Sequence, residues 1–244
     1  MSGDLMVDIQ DCHITYRSYL DPMKSLRNLA VGNRRRYTEV HAVRGIDLQL
    51  HRGEYFGIVG LNGSGKSTLL QAMTGLLPIE QGSIRVKSRP RLLGVGAALR
   101  SGVSGRRNMV LGGLALGIPR AEIEAQLDDL VAFVDIGDAI DRPMRTYSAG
   151  QRARLLFSIA TMTPPEILLV DEALVVGDAA FKERSSEKIE QILGAAGTVV
   201  MVTHNVADIA NRCDRAMWLH DGVMEEIGPA DMVVDAYLAA TRSD

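Results

Sequence analysis

Residues 60–67 read Gly-Leu-Asn-Gly-Ser-Gly-Lys-Ser, and this stretch decides the fold. It follows an apolar run over residues 55–59 and precedes good helix formers over residues 66–74, so the order is strand, glycine-rich turn, helix. Glycines let the backbone turn so tightly that several N–H groups point at one anion, and the helix adds its positive N-terminal dipole. The sequence therefore predicts a loop that binds phosphate groups within an α/β fold.

Two side chains of this loop carry specific chemistry. Lys66 is placed to reach the β- and γ-phosphates of a nucleotide, and the hydroxyl of Ser67 is placed to ligate Mg²⁺. The alternative, a glycine-rich turn with a chance lysine, is disfavoured by the flanking strand and helix. The predicted nucleotide-binding residues are Gly60, Leu61, Asn62, Gly63, Ser64, Gly65, Lys66, Ser67 and Thr68.

A second strand pattern ends in two acids. Residues 167–170 form a short apolar run typical of buried parallel strands, and Asp171 and Glu172 follow it. Two adjacent acids often mark only a solvated strand end. Beside a phosphate-binding strand, however, Asp171 can hold Mg²⁺ through its water shell while Glu172 polarises the attacking water. A further apolar run, residues 198–202, leads to His204, which we expect at the γ-phosphate edge of the same sheet.

The rest of the chain suggests subdomains around this core. Alternating residues over 6–16 and 40–50 predict an antiparallel β-rich start, and Asp221-Gly222 predicts a hairpin near the end. We expect one domain over residues 1–244, with an amphipathic basic insert at about 17–39 and a helical subdomain at about 97–150. The predicted helix over residues 121–134 places four apolar side chains on one side: Ile123, Leu127, Leu130 and Val134.

Composition sets limits on location and partners. The chain has 244 residues, 46% of them hydrophobic, and a net charge of −3, without a basic run long enough to predict a nucleic-acid surface. Its longest uncharged apolar stretch, residues 192–202, is far shorter than the ~20 residues that cross a bilayer. The first ten residues lack the basic and apolar regions of a secretory signal, so we expect a cytosolic chain. Cys12 and Cys213 are expected to be reduced, buried thiols.

Residues 147–151, Tyr-Ser-Ala-Gly-Gln, resemble the signature of ABC ATPases, usually written LSGGQ, and precede the two acids as that family requires. By this resemblance the chain is identified as a member of the family. The resemblance implies a RecA-like P-loop NTPase core with an antiparallel β subdomain and an α-helical signature subdomain. It also implies a homodimer that encloses ATP and Mg²⁺ between two chains. Ser148, Gly150 and Gln151 would then contact the ATP held by the opposite subunit, Asp178 would lie in the D-loop, and His204 would be the switch histidine.

Within the family, the chain looks most like ATPase subunits of exporters for lipid-linked polysaccharides. Three stretches carry this resemblance: the insert at residues 22–36, the variant Val-Gly-Asp at residues 176–178, and the ending at residues 233–238. The resemblance implies separate membrane permease subunits, a lipid-linked glycan as transported substrate, and a peripheral position on the cytoplasmic face of the inner membrane. It also implies that this chain has no C-terminal carbohydrate-binding domain, so that the membrane partner recognises the glycan.

Two positions depart from the family pattern. Tyr16 stands farther ahead of Gly60 than the adenine-stacking tyrosine usually does, although its strand context fits. It remains the stacking candidate, with Tyr37 and His41 as rivals. Gly94 falls where related exporters carry the carboxylate of the Q-loop and most ABC proteins carry glutamine. Glycine can neither ligate Mg²⁺ nor position water.

Two other functions compete with polysaccharide export. A soluble ABC ATPase that acts on ribosomes or DNA is disfavoured, because the chain has one cassette and neither a coiled-coil nor a zinc insert. An ABC importer ATPase would differ mainly in its membrane partner, and the insert disfavours it. We therefore expect no nucleic-acid partner.

Overall fold

A computed structural model describes residues 4–19, 37–93, 99–171, 179–203 and 205–241. The elements of these ranges, in chain order, are β1 (Leu5–Tyr19), β2 (Tyr37–His51), β3 (Tyr55–Val59), α1 (Lys66–Met73), β4 (Gln81–Val86), β5 (Arg91–Leu92), α2 (Gly105–Ala115), α3 (Arg120–Ala125), α4 (Leu127–Val134), α5 (Ala149–Ala160), β6 (Ile167–Val170), α6 (Ala179–Ala195), β7 (Thr198–Val202), α7 (Val206–Arg212), β8 (Arg215–His220), β9 (Val223–Pro229) and α8 (Ala230–Thr241), with 3₁₀ helices at Gly137–Asp141 and Met144–Thr146.

The chain forms two compact units. The first comprises Met1–Lys87 and Val202–Asp244, and the second comprises Ser88–Met201. The expected single domain over residues 1–244 stays a prediction, and so do the subdomain boundaries within it.

The first unit contains the predicted antiparallel start. Its strands follow the order β2-β1-β4, and the β1 side chains Val7, Ile9 and Ile14, among others, are buried. β1 and β2 run beyond the predicted strands and pair as far as Tyr19 with Tyr37, so both ends of the expected 17–39 insert belong to a hairpin. Residues 22–36 of the expected amphipathic basic insert lie outside the described residues, and so do its three consecutive arginines at 34–36.

The same unit places the phosphate loop after a parallel strand pair. β3 pairs in parallel with β8, and β8 pairs with β9 as the predicted terminal hairpin. Asp221 and Gly222 form its turn with φ values of 45° and 80°, the left-handed conformation that a tight two-residue hairpin requires. The strand, turn and helix predicted around residues 55–74 are confirmed.

The second unit contains the strand that ends in Asp171. β5, β6 and β7 are parallel neighbours, and the β6 residues Ile167, Leu168 and Leu169 are fully buried. Such continuous burial is expected of a parallel strand covered on both faces. The predicted strands over residues 167–170 and 198–202 are confirmed.

Helices α2, α3 and α4 lie in the second unit, within the stretch of about 97–150 where a helical subdomain is expected. The single helix expected over residues 121–134 is wrong, because α3 ends and α4 begins on either side of Gln126. There the Gln126 N–H bonds the carbonyl of Ile123, three residues back, in place of the four-residue spacing of a continuing α-helix. Ile123, Leu130 and Val134 are all buried in one core, while Leu127 is only partly covered.

Both cysteines are buried and free, as expected. Burial raises the pKa of the Cys12 thiol to about 11 and that of Cys213 to about 12. Because the thiolate is the reactive form, a raised pKa disfavours reaction of both thiols at neutral pH.

None of the helices in the described part of the chain is long and apolar enough to cross a membrane.

Candidate nucleotide site

The phosphate loop owes its shape to two closely packed glycines. Gly60 and Gly65 have φ values of 151° and 107°, in the region that side chains rarely adopt. A Cβ on Gly60 would lie 2.1 Å from the carbonyl oxygen of Leu219, and a Cβ on Gly65 would lie 2.1 Å from that of Ala42. Strands β2 and β8 therefore touch the loop directly, and only glycine fits at these two positions.

Backbone hydrogen bonds hold the loop against the terminal hairpin. The Gly222 N–H donates to the Ser64 carbonyl at 2.9 Å, and the Arg44 N–H donates to the Gly222 carbonyl at 2.8 Å. The Ser64 N–H donates to the carbonyl of Leu61 at 3.2 Å, which closes the turn. These bonds to neighbouring segments fix the backbone of the loop, as a preorganised anion site requires.

The helix that follows offers its N-terminus. α1 begins at Lys66 with Gly65 as its N-cap, and no side chain caps it. The first N–H groups of an α-helix have no intrahelical acceptor, so those of Ser67 and Thr68 are suited to bind phosphate oxygens.

Lys66 and Ser67 supply the side-chain groups. The Lys66 ammonium donates to the carbonyls of Gly60 at 2.7 Å and Leu61 at 2.8 Å, so its charge lies over the loop. The Ser67 side chain is exposed and makes no hydrogen bond to any residue that the structure describes. A hydroxyl oxygen at a helix N-terminus beside a phosphate loop fits the oxygen ligands that Mg²⁺ prefers.

The second unit positions Asp171. β6 is held by the Leu93 N–H, which donates to the Leu169 carbonyl at 2.9 Å, and by its parallel pairing with β7. Asp171 follows the last residue of this strand and is partly exposed. Its carboxylate is thus available for a cation or for water. Three predicted site residues, Glu172, Asp178 and His204, lie outside the described residues, as does Gly94.

The signature residues begin a helix in the second unit. Ser148 is the N-cap of α5: its hydroxyl accepts the Gln151 N–H at 3.1 Å, and the Gln151 side-chain oxygen accepts the Ser148 N–H at 2.9 Å. This capping box leaves the Ser148 hydroxyl proton free to donate to an anion. Among the residues that the structure describes, only the Ser148 hydroxyl, 3.9 Å away, lies within 4 Å of a Cβ placed on Gly150, which leaves space for a ligand at this helix end.

Two of the three adenine candidates are described. Tyr16 is 45% exposed on β1 and pairs with Val40 on β2. His41 is the register partner of Thr15, and the Thr15 hydroxyl lies 2.9 Å from the His41 Nδ1. His41 precedes Ala42, the residue whose carbonyl touches the phosphate loop. The Tyr37 side chain lies outside the described residues.

Sequence reasoning missed Arg154, which ties the signature helix to its neighbours. Its Nη1 donates to the Asp135 carbonyl at 3.0 Å, at the end of α4, and its guanidinium lies 5.0 Å from the centroid of the Phe181 ring on α6. The Asp135 carboxylate pairs with Arg184, also on α6, at 3.0 Å. The one signal for Arg154 in the sequence was its position as a basic residue about one helical turn after Gln151.

A preorganised phosphate loop at the start of a helix, after a buried parallel strand, defines the class of P-loop nucleotide-binding proteins. Residues 43–175 match the family model described as ABC transporter. The chain belongs to the ABC transporter family and is an ATPase of that family, so the family and the fold class expected from the signature are confirmed.

Named relatives cover most of the chain. It is 36% identical over 242 residues to the teichoic acids export ATP-binding protein TagH of Levilactobacillus brevis. This match covers 99% of this chain and 67% of that protein. It is 40% identical over 202 residues to the O-antigen export system ATP-binding protein RfbB of Myxococcus xanthus, covering 82% of this chain and 46% of that one. The chain thus spans about half to two thirds of these curated relatives.

Solved structures share the fold. An ATP-binding subunit of an ABC transporter matches with a TM-score of 0.69 at 19% identity, over 95% of this chain and 93% of that one. A dimeric, post-hydrolysis ATP-binding cassette bound to ADP and Pi matches with a TM-score of 0.66 at 18% identity, over 92% of this chain and 99% of that one.

Proposed function

We propose that the chain is the ATP-hydrolysing subunit of an exporter that moves lipid-linked polysaccharide of the O-antigen, teichoic acid or galactan type across the cytoplasmic membrane. The similarity to an export ATP-binding protein over 99% of the chain carries this proposal. The preorganised phosphate loop and the open signature helix support it, because the chain has both the loop proposed to bind its own ATP and the helix start proposed to contact the ATP of a second copy.

Each proposed residue has a distinct task in hydrolysis. The loop amides and Lys66 bind the β- and γ-phosphates, and Glu172 polarises the attacking water while His204 contacts the γ-phosphate. Water attacks the γ-phosphorus, the bond to the β–γ bridging oxygen breaks, and ADP leaves with that electron pair. The Ser67 hydroxyl and Asp171 would hold Mg²⁺, which neutralises charge on the phosphate oxygens when it is bound.

A second copy of the chain is the first proposed partner. Ser148, Gly150 and Gln151 of one chain contact the ATP of the other, and Asp178 couples the two sites. The free donor capacity of the Ser148 hydroxyl supports this role, since a γ-phosphate presents only acceptor oxygens. The dimer of the similarly folded cassette bound to ADP and Pi is a further support.

Separate integral membrane permease subunits are the other proposed partners, and they place the chain at the cytoplasmic face of the membrane. Their cytoplasmic segment would contact residues 99–117, which include α2 and the loop before it. We propose Tyr16 as the residue that stacks on adenine, with His41 and Tyr37 as alternatives. No nucleic acid takes part in this function.

Depletion of the chain in its own cells tests the function. Lipid-linked glycan should accumulate in the cytoplasmic leaflet and the amount of that glycan at the cell surface should fall, as measured by mass spectrometry of extracted lipids and by surface labelling. Wild-type chain supplied in trans should restore export. Unchanged surface glycan after depletion would contradict polysaccharide export and favour an ABC ATPase for another substrate.

The arginine cluster at residues 34–36 is proposed to lie against anionic lipid or the mouth of the permease. Replacing all three arginines with serine should lower export severalfold, because each basic residue near an anionic membrane contributes about 1 kcal/mol. ATP turnover of the purified chain should not change. The matched control replaces the same arginines with lysine, which keeps the charge, and it should export normally. Normal export by the serine variant would contradict this role.

A further inference from the structure

The loop over residues 100–104, just before α2, is held from inside by one buried side chain. Asn108 is fully buried, and its Oδ1 accepts the Arg100 N–H at 2.8 Å. Its Nδ2 donates to the carbonyls of Arg100 at 3.1 Å, Val103 at 3.3 Å and Ser104 at 3.1 Å. A buried amide that satisfies both ends of a five-residue loop fixes the loop to the first turn of the helix.

The other edge of this loop pairs with the segment that leads to the signature. The Met144 N–H donates to the Val103 carbonyl and the Arg145 N–H donates to the Ser101 carbonyl, both at 2.9 Å. Ser104 also forms an isolated antiparallel bridge with Pro143. Residues 143–145 are therefore hydrogen-bonded along the edge of the loop.

Tyr147 completes the connection. Its side chain is 4% exposed, and its hydroxyl accepts the Gly105 N–H at 3.1 Å, at the first residue of α2. A Cβ on Gly105 would lie 2.4 Å from this hydroxyl, so the glycine leaves the space that the hydroxyl fills. Burial raises the pKa of Tyr147, which keeps the hydroxyl neutral. Ser148 follows directly in sequence and is fixed to α5 by its capping box.

We propose that Tyr147 is a positioning residue for Ser148: its hydroxyl bonds the first residue of α2 to the start of the signature helix. Together with the bonds from Met144 and Arg145 to the clamped loop at residues 100–104, it joins the loop and this helix start in one hydrogen-bonded body. The LSGGQ pattern has leucine at this position, and leucine can fill the volume but cannot accept the Gly105 N–H. A membrane partner that displaces the loop would therefore displace Ser148 as well. This proposal rests on the proposed function, in which Ser148 acts on the ATP of the second copy.

Tyr147→Phe tests the proposal because it removes only the hydroxyl. We expect the maximal ATP turnover of the purified chain to fall about fivefold or more, while the affinity of each chain for a fluorescent ATP analogue stays within twofold of wild type. Turnover falls without a change in affinity because Ser148 acts on the ATP of the opposite chain and not on the ATP in its own phosphate loop. Tyr237→Phe is the matched control, since it makes the same change on α8, and its turnover should equal that of wild type.

A double-mutant cycle with Gly105→Ala separates positioning from loss of fold. The added methyl group would lie 2.4 Å from the tyrosine hydroxyl and 2.9 Å from the Ile140 Cδ1. Gly105→Ala should therefore lower turnover strongly in wild type and less in Tyr147→Phe, where the closer of the two clashes is absent. Additive effects, or a wild-type turnover in Tyr147→Phe, would overturn the proposal. A parallel loss of nucleotide affinity and melting temperature in Tyr147→Phe would overturn it too, as a purely structural effect. Absence of turnover in wild type would instead contradict the proposed function itself.

Discussion

Replacing Lys66 with methionine should lower ATP turnover of the purified chain by about 100- to 1,000-fold, the usual loss when one preorganised electrostatic contact to the reacting group is removed. Methionine keeps the length and apolar stem of lysine but has no charge. In wild type the ammonium is held over the loop by the carbonyls of Gly60 and Leu61, so its charge is already in place when phosphate arrives. Phosphate release measures the loss of turnover, and binding of a fluorescent ATP analogue measures any loss of nucleotide affinity.

Lys87→Met is the matched control for this variant. It makes the same change outside the phosphate loop, where Lys87 forms an ion pair with the exposed carboxylate of Asp4, and exposed pairs contribute little to stability. Its turnover should remain within twofold of wild type. If Lys66→Met also kept turnover within threefold, the loop at residues 60–67 would not be the site of the γ-phosphate.

Local patterns predicted the parts of the fold that local physics determines. The phosphate loop, the buried strands and the terminal hairpin each follow from a short stretch in which glycine placement or hydrophobic spacing leaves few alternatives. The break at Gln126 could not be predicted in this way, because Ile123 and Leu130 are spaced as in one helix and are buried in the same core although they lie on two helices.

In the candidate site, too, residues that belong to a local motif were predicted, and residues that depend on contacts with distant segments were not. Lys66, Ser67 and Ser148 were identified because each stands in a motif of fixed spacing. Asn108 and Arg154 were missed, since their partners lie on other segments and a buried asparagine or a helical arginine has no motif of its own.

Strand register explains why the sequence left three candidates for the residue that stacks on adenine. The pairing of β1 with β2 shifts between Ile14 and Thr15, and this irregularity sets Thr15 opposite His41 and Tyr16 opposite Val40. A shift of one residue exchanges the faces of a strand, so the sequence alone could not decide which aromatic side chain lies on the nucleotide side.

Glu172→Gln should lower turnover by about 100- to 10,000-fold, because the amide cannot act as the base that polarises the attacking water. The change keeps the shape of the side chain and leaves the phosphate loop intact. ATP should therefore still bind and bring two chains together, and the dimer should persist because its ATP is not consumed. Size-exclusion chromatography coupled to light scattering, with Mg-ATP present, measures this accumulation.

Two further variants show whether the trapped species is the proposed sandwich. Glu166→Gln makes the same change just before β6, and it should turn over ATP at the wild-type rate without trapping a dimer. Adding Ser148→Arg to Glu172→Gln places a large side chain at the exposed start of α5, which should prevent the dimer while each chain still binds ATP. A dimer that survives Ser148→Arg would show that the chains associate through another surface. Wild-type turnover in Glu172→Gln would mean that another residue is the base. Asp171 would then be the nearest carboxylate in sequence, so the turnover of Asp171→Asn would be compared with that of Glu172→Gln.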